Sequence, residues 1–234
     1  MSDVLRAAAT LNDPLPLAFY ARPTQVVARE LIGKAIIREL DDGLVGGIVV
    51  ETEAYLHRGD AASHATRGLT ASNRSMFAAA GTAYVYPIHA RHCFNVSTEG
   101  EGVGAAVLIR ALQPVWGMSR MIEHRRLSDI SDPNLPVDLR RLTSGPGRLC
   151  EALRIDRRQD GDPVTGESIL RISIHSPGDR FAAVPRVRTS PRIGVTKARN
   201  RRLRYFADGN RFVSGRASDH SRPRSPRWDL PTDE

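Results

Sequence analysis

Two largely apolar runs, residues 35–40 and 44–50, flank Asp41-Asp42-Gly43, and this pattern constrains the fold more than any other stretch of the chain. An Asp-Gly break between apolar runs is a hairpin signal, because glycine takes the positive φ of a tight turn without steric cost. The segment therefore predicts two antiparallel strands, 35–40 and 44–55. The second ends in Glu51-Thr52-Glu53-Ala54-Tyr55. The two-residue side-chain period of a strand puts Glu51, Glu53 and Tyr55 on one face and Val50, Thr52 and Ala54 on the other. A carboxylate thus stands beside an aromatic ring. Alone, the arrangement fits a surface ion pair and a ring capping the core as well as it fits a reactive site.

The remaining segments read as a mixture of helices and strands. Residues 1–16, small and polar with Pro14 and Pro16 near the end, read as a poorly ordered lead-in. Thr24 is placed to cap a helix over 25–32, with Val27, Ala28 and Leu31 on one face and Gly33 as its stop. A polar loop over 57–74 leads to a short helical turn at 75–80 and a strand at 83–88, in which Tyr84 and Tyr86 share a face. Residues 105–111 form another strand, apolar until Arg110, which needs a partner if buried. A helix is predicted from Pro114 to about Arg126, then a Pro- and Asp-rich connection over 127–142. Ser144 is placed to cap a further helix carrying Leu149, Cys150 and Leu153. Residues 168–175 predict a strand with Leu170, Ile172 and Ile174 inward, and 186–195 and 203–206 read as strand and loop. Residues 215–234, rich in Ser, Pro, Arg and Asp, read as a disordered tail.

At 234 residues, 41% hydrophobic and 26% charged, the chain supports one domain over 17–214, and no apolar run reaches the length of a membrane span. Cys93 and Cys150 are the only cysteines and no signal-peptide pattern opens the chain, so a cytoplasmic protein is expected. The formal net charge of +8 and pI near 10.3 favour a polyanionic partner. Arginine supplies nearly all of it, since Lys34 and Lys197 are the only lysines. Arg188, Arg192, Lys197, Arg199, Arg201, Arg202 and Arg204 crowd one stretch. Charge alone leaves a solvated basic surface as open as phosphate binding. Gly145 and Gly147 lack the spacing and lysine of a phosphate-binding loop. His57, His64, His89, His92 and Cys93 lack the spacing of a zinc site. No metal and no cofactor are expected.

Order makes these motifs specific. Glu51-Thr52-Glu53-Ala54-Tyr55 is followed by Asp60 and His64, Asn73-Arg74, Met76-Phe77, Gly81-Thr82 and Tyr84-Val85-Tyr86. Then come Cys93-Phe94-Asn95-Val96, Ala106-Val107-Leu108-Ile109-Arg110-Ala111, Gly145-Pro146, Leu149-Cys150 and Pro191-Arg192-Ile193-Gly194-Val195. Over residues 19–214 the set resembles the alkyladenine (3-methyladenine) DNA glycosylase family. The resemblance implies a mixed α/β (α+β) single domain with a curved, largely antiparallel sheet surrounded by helices. It implies Glu53 as general base and Arg110 as the arginine that helps hold the attacking water. It places Tyr55 and His64 on one side of a flipped base and Tyr86 on the other, with Asn95 obstructing the exocyclic amine of guanine and Glu51 left to structure. The family's aromatic-Gly turn and Tyr wedge are replaced by Pro87-Ile88-His89-Ala90-Arg91-His92, one residue shorter. There His89 is the expected wedge and Arg91 an expected phosphate contact, joined by Arg192 and Lys197 from the basic run. A short insertion near residues 100–104 is expected only to lengthen a turn.

The chemistry asks for the same residue types. A base inside a duplex must be extruded before it can react, which costs least when it is damaged. Stacking between Tyr55 and Tyr86 would return about 1–3 kcal/mol, and a cationic alkylated base about 0.5–2 kcal/mol more from the ring faces. Hydrolysis needs an ionised Glu53 to deprotonate a water, and a neighbouring Arg110 opposes the effect of burial. A lyase would need an amine nucleophile, and with two lysines the chain predicts a monofunctional glycosylase that leaves an abasic site. The expected partner is double-stranded DNA carrying damaged purines, bound by a monomer with no membrane and no obligate protein partner. Two readings compete: a non-catalytic basic DNA-binding protein, and a metallohydrolase.

Overall fold

The computed structural model describes residues 13–127, 138–166, 168–174 and 186–216. The expectations for residues 1–12, for most of the 127–142 connection and for residues 217–234 lie outside them. A single helical turn, α1 (Leu17–Tyr20), precedes α2 (Thr24–Glu30). The hairpin follows as β1 (Ala35–Leu40) and β2 (Gly43–Tyr55), closed by Asp41-Asp42 with Leu40 opposite Gly43. Then come 3₁₀ turns at His64–Arg67 and Arg74–Phe77, the hairpin β3 (Ala83–Ile88) and β4 (Arg91–Ser97), and the long β5 (Ala106–Trp116). Helices α3 (Met118–His124), α4 (Arg140–Thr143) and α5 (Pro146–Ala152) are followed by β6 (Leu170–Ser173), β7 (Val187–Ser190) and β8 (Arg204–Ala207).

The strands form one curved sheet in the order β3-β4-β5-β2-β1-β6, with β8 joining β2 and β7 joining β8. Every described pairing is antiparallel. Strand β2 is the axis of this sheet. Its first half pairs with β1, whereas Glu51, Thr52 and Glu53 pair with β5 on one side and β8 on the other. Two bulges interrupt β2–β5 here, with Val50 the extra residue on β2 and Arg110 the extra residue on β5. Bulges re-aim side chains beside active sites. The main core packs apolar side chains of α2 and α5 and of the residues that end them, such as Val27, Leu31, Leu149 and Leu153, on Val49, Ile109 and Leu112 of the sheet. Each such side chain contributes about 1.5–3 kcal/mol by leaving water.

Several element ends differ from the sequence reading. The strand β5 continues through Pro114, where a helix was expected. Pro114 sits opposite Gly47 at a register shift, a place where a missing N–H is tolerated. The break falls at Gly117, whose φ of 68° and 2.3 Å approach of a notional Cβ to the Leu44 carbonyl demand glycine. Neither predicted cap acts as one. Pro23 and Gly145 occupy the cap positions. The Thr24 hydroxyl instead donates to Glu99, and the Ser144 hydroxyl donates to the Phe212 carbonyl. The loop expected only to lengthen a turn therefore tethers α2 through Glu99 and receives the His57 ring through the Gly104 N–H. Strand β6 stops at Ser173, leaving Ile174 at 39% exposure rather than inward. Residues 13–16, the end of the expected lead-in, lie along β6, where the Leu15 N–H donates to Ile172 and its side chain is buried.

Candidate active site

Glu53 and Glu51 are both fully buried near the end of β2, yet they hold different company. Glu51 accepts from Arg110 Nε at 3.0 Å and Arg204 Nε at 2.6 Å on one oxygen, and from the Ser214 N–H at 2.7 Å on the other. Glu53 Oε1 accepts from the Ile193 N–H at 2.8 Å and lies 3.2 Å from Arg110 NH1, while Oε2 accepts from the Tyr55 hydroxyl at 2.9 Å. Two carboxylates and two guanidiniums therefore balance in charge, which buried ions require. Burial would lower the pKa of Arg110, but Glu53 and Glu51 outweigh it and raise the value. Burial and the charge of Glu53 push the Tyr55 hydroxyl up, so it keeps its proton and donates.

Tyr55 and Ile193, which donate to Glu53, and Arg110, its ion-pair partner, line one cavity of about 430 Å³ together with His64, Tyr86, Cys93 and Lys197. That volume is in the range of small-molecule sites. Its Tyr55 wall is backed by Arg192, whose guanidinium carbon lies 4.6 Å from the ring centre. The Arg192 side chain is wholly buried, bound to both oxygens of Asp60 at 2.6 and 2.5 Å and to the Ala54 carbonyl at 2.9 Å. The expectation that Arg192 meets DNA phosphate is thus corrected: its side chain is wholly buried and its terminal nitrogens bind Asp60 and the Ala54 carbonyl. Burial alone would raise the Asp60 pKa, yet hydrogen bonds from Arg192 and the Leu56 and Ala62 N–H groups bring it below the usual carboxylate value.

Tyr86 and His64 line the same cavity and touch one another. The His64 ring meets Tyr86 edge-on with centroids 4.8 Å apart, and its Nδ1 lies 2.8 Å from the Tyr84 hydroxyl. The 3₁₀ turn that begins at His64 is tied down by Asn73, whose amide donates to the His64 and Gly68 carbonyls. Burial, then the charge of Arg67, holds the His64 imidazole below its usual pKa and favours the neutral ring. Burial pushes the Tyr84 hydroxyl up to about 12.

Asn95 is buried two residues beyond Cys93 on the same face of β4, with its amide donating to the Tyr84 and Cys93 carbonyls. His89 is exposed at the tip of the β3–β4 hairpin with φ of 51°. Arg91, just past the tip, pairs with Glu151 at 2.9 Å. Lys197 is exposed at the cavity rim. Among the described residues, no three of His, Cys, Asp and Glu gather as a metal-binding group, and no helix is long and apolar enough to cross a membrane.

The sequence model of the methylpurine-DNA glycosylase (MPG) family matches residues 18–211. The chain belongs to this family. Relatives whose names carry the words 3-methyladenine DNA glycosylase include one from Rhodopirellula baltica, 50% identical over 207 residues that cover 88% of this chain and 85% of the relative. Another, from Koribacter versatilis, is 44% identical over 206 residues, covering 87% of this chain and 94% of the relative. A third, from Methanoculleus marisnigri, is 41% identical over 204 residues, covering 86% and 99%. Family membership places the protein among the DNA glycosylases, enzymes of base excision repair.

In this glycosylase the sequence reading missed the Ile193 N–H, Arg204, Cys93 and Ile88. A backbone donor leaves no residue-type signal. Arg204 stands directly opposite Glu53 in the β2–β8 register, a pairing that short-range patterns do not reveal. Cys93 lines the cavity as a buried thiol whose pKa burial raises, so it acts as a small apolar wall. Ile88 is 44% exposed while also lining the cavity beside the hairpin tip.

Proposed function

We propose that the protein extrudes an alkylated or deaminated purine from duplex DNA into the cavity between Tyr55 and Tyr86. There it hydrolyses the N-glycosidic bond with a water activated by Glu53, leaving an abasic site. The observation that carries this reading is the convergence of two cavity-lining donors, Tyr55 and Ile193, and one cavity-lining cation, Arg110, on the Glu53 carboxylate. A carboxylate has about four lone-pair sites. Two donors and the Arg110 ion pair fix its plane and leave capacity for a water, which Arg110 helps to hold. The sugar carbon accepts the hydroxyl of that water, the base departs with the bonding electrons, and Glu53 takes the proton. Extrusion costs a few kcal/mol, against which aromatic stacking returns about 1–3 kcal/mol.

Lys197 at the rim is the one lysine lining the cavity, and in this reading it steers phosphate rather than attacking the sugar. The decisive experiment incubates the protein with duplex oligonucleotides, each carrying one defined lesion, followed by alkaline cleavage at abasic sites. Base release by the wild type and its loss in Glu53→Gln, by a factor of about 10²–10⁴ with binding retained, is the expected result. Release that persists in Glu53→Gln would remove Glu53 from the role. Borohydride trapping of an enzyme–DNA adduct would replace the hydrolytic mechanism with a lyase.

A further inference from the structure

An ionic cluster beside the cavity takes no part in the chemistry above. Glu151 on α5 pairs with Arg91 Nε at 2.9 Å and with Arg125. Arg125 also donates to the Arg141 carbonyl at 3.2 Å, and Arg148 is exposed on α5 three residues before Glu151. Glu151 is the only acid paired with Arg91 or Arg125 among the described residues. The cluster is therefore short of negative charge. Arg125 records the shortage: burial, then the positive charges of Arg91, Arg148 and Arg141, lower its pKa to about 10. Its Nε is buried without an acceptor among the described residues.

Position gives the cluster its meaning. Arg91 follows the hairpin whose Ile88 lines the cavity. Its stem crosses Gly147 so closely that a Cβ there would stand 2.6 Å from Arg91 Cδ, and the adjacent Pro146 lines the cavity. The Arg91–Glu151 pair is open to water, with side chains 49% and 33% exposed. Guanidinium forks match phosphate oxygens in geometry and charge. We propose that Arg91, Arg141 and Arg148 form a docking site for a backbone phosphodiester flanking the extruded nucleotide, and that Glu151, anchored by the buried Arg125, holds Arg91 in the free protein as a stand-in anion. This rests on the DNA glycosylase reading. On binding, the phosphodiester takes over donors that Glu151 occupies, and the carboxylate opposes it at short range.

The test is Glu151→Gln, which keeps the shape and removes the charge. Binding to undamaged and lesion-bearing duplexes is followed by fluorescence anisotropy across a salt series, with folding checked by thermal melting. Removing a carboxylate from a phosphate site should tighten binding by on the order of threefold or more at low salt. Unchanged or weaker binding by a folded Glu151→Gln overturns the proposal. Arg148→Glu serves even where Glu151→Gln fails to fold. It should weaken binding at least about fivefold and make the plot of log affinity against log salt shallower by about 0.9 for each phosphate no longer neutralised. Unchanged affinity and slope in this variant would equally overturn the site. Failure of wild-type base release on lesion duplexes strikes the glycosylase reading instead, so the two failures separate.

Discussion

Arg192 stacks behind Tyr55, its guanidinium carbon 4.6 Å from the ring centre, and is itself clamped by Asp60. A residue read as a surface phosphate contact is thus the support of the cavity wall. It fixes the ring proposed to stack on the base, and its neighbour Ile193 delivers a backbone N–H to Glu53. One buried ion pair therefore sets both a stacking surface and a hydrogen bond to the proposed base.

Asp60→Asn should leave the Arg192 charge buried without a counter-ion and lower stability by about 3–5 kcal/mol, read as a shift of the urea midpoint at constant slope. Asp60 has its pKa lowered in the folded state. Its contribution is therefore complete above the ordinary carboxylate value near 3.9 and is lost as pH falls through the lower folded value. The gap in stability between wild type and Asp60→Asn should be full at pH 7 and close on acidification below about pH 4. A gap independent of pH would contradict the assignment.

Glu51 and Glu53 should separate on different axes. Glu51→Gln strips a counter-charge from Arg110 and from the wholly buried Arg204, and should cost about 3–5 kcal/mol of folding free energy. Glu53→Gln leaves the Glu51–Arg204 pair intact, so its main effect should be on base release. Urea unfolding and single-turnover base release on both variants check this. A Glu51→Gln protein of normal stability would show that the four-ion arrangement does not hold the strands β2, β5 and β8 together.

Tyr55→Phe keeps the ring and removes the hydroxyl that donates to Glu53. Base release should fall by on the order of tenfold, the worth of one hydrogen bond to a charged group, while affinity for lesion DNA holds. Tyr86→Ala removes a stacking face and should lose about 1–3 kcal/mol of binding. Measuring Kd and single-turnover rate separately distinguishes the two roles, and equal losses in both parameters for Tyr55→Phe would rule out a specific action on Glu53.

Local patterns made the fold legible where chain neighbours decide the structure. The break at Asp41-Asp42-Gly43 marked the β1–β2 hairpin, and alternation marked β3 and β6. Patterns failed where distant residues decide. Pro114 stays in a strand because it meets Gly47 at a register shift, and Thr24 is drawn from its capping role by Glu99. The site divides in the same way. Glu53, Tyr55, Tyr86 and Arg110 were readable because the ordered motifs name their side chains. The Ile193 N–H, the burial of Arg192 and the pairing of His64 with Tyr86 come from contacts across β2, the 3₁₀ turn at His64–Arg67 and the 191–197 loop, and no short window encodes them.

The β3–β4 hairpin tip offers a last separation. His89 occupies the left-handed region, with φ of 51°, in a two-residue turn between Ile88 and Arg91. Glycine accepts that conformation without the penalty of roughly 1–2 kcal/mol that a Cβ brings. His89→Gly should therefore hold or raise stability by up to about 1 kcal/mol. The same change deletes the ring expected to fill the gap left by the extruded nucleotide. Lesion-duplex affinity and base release should fall, whereas release from a single-stranded lesion oligonucleotide, which leaves no duplex gap to fill, should be nearly unchanged. Thermal melting together with rates on the two substrates checks the prediction. Equal loss on both substrates would mean that His89 contributes to the cavity rather than to the duplex. No loss on either would pass the wedge role to Ile88, which is 44% exposed beside it, and Ile88→Ala should then show the duplex-specific defect.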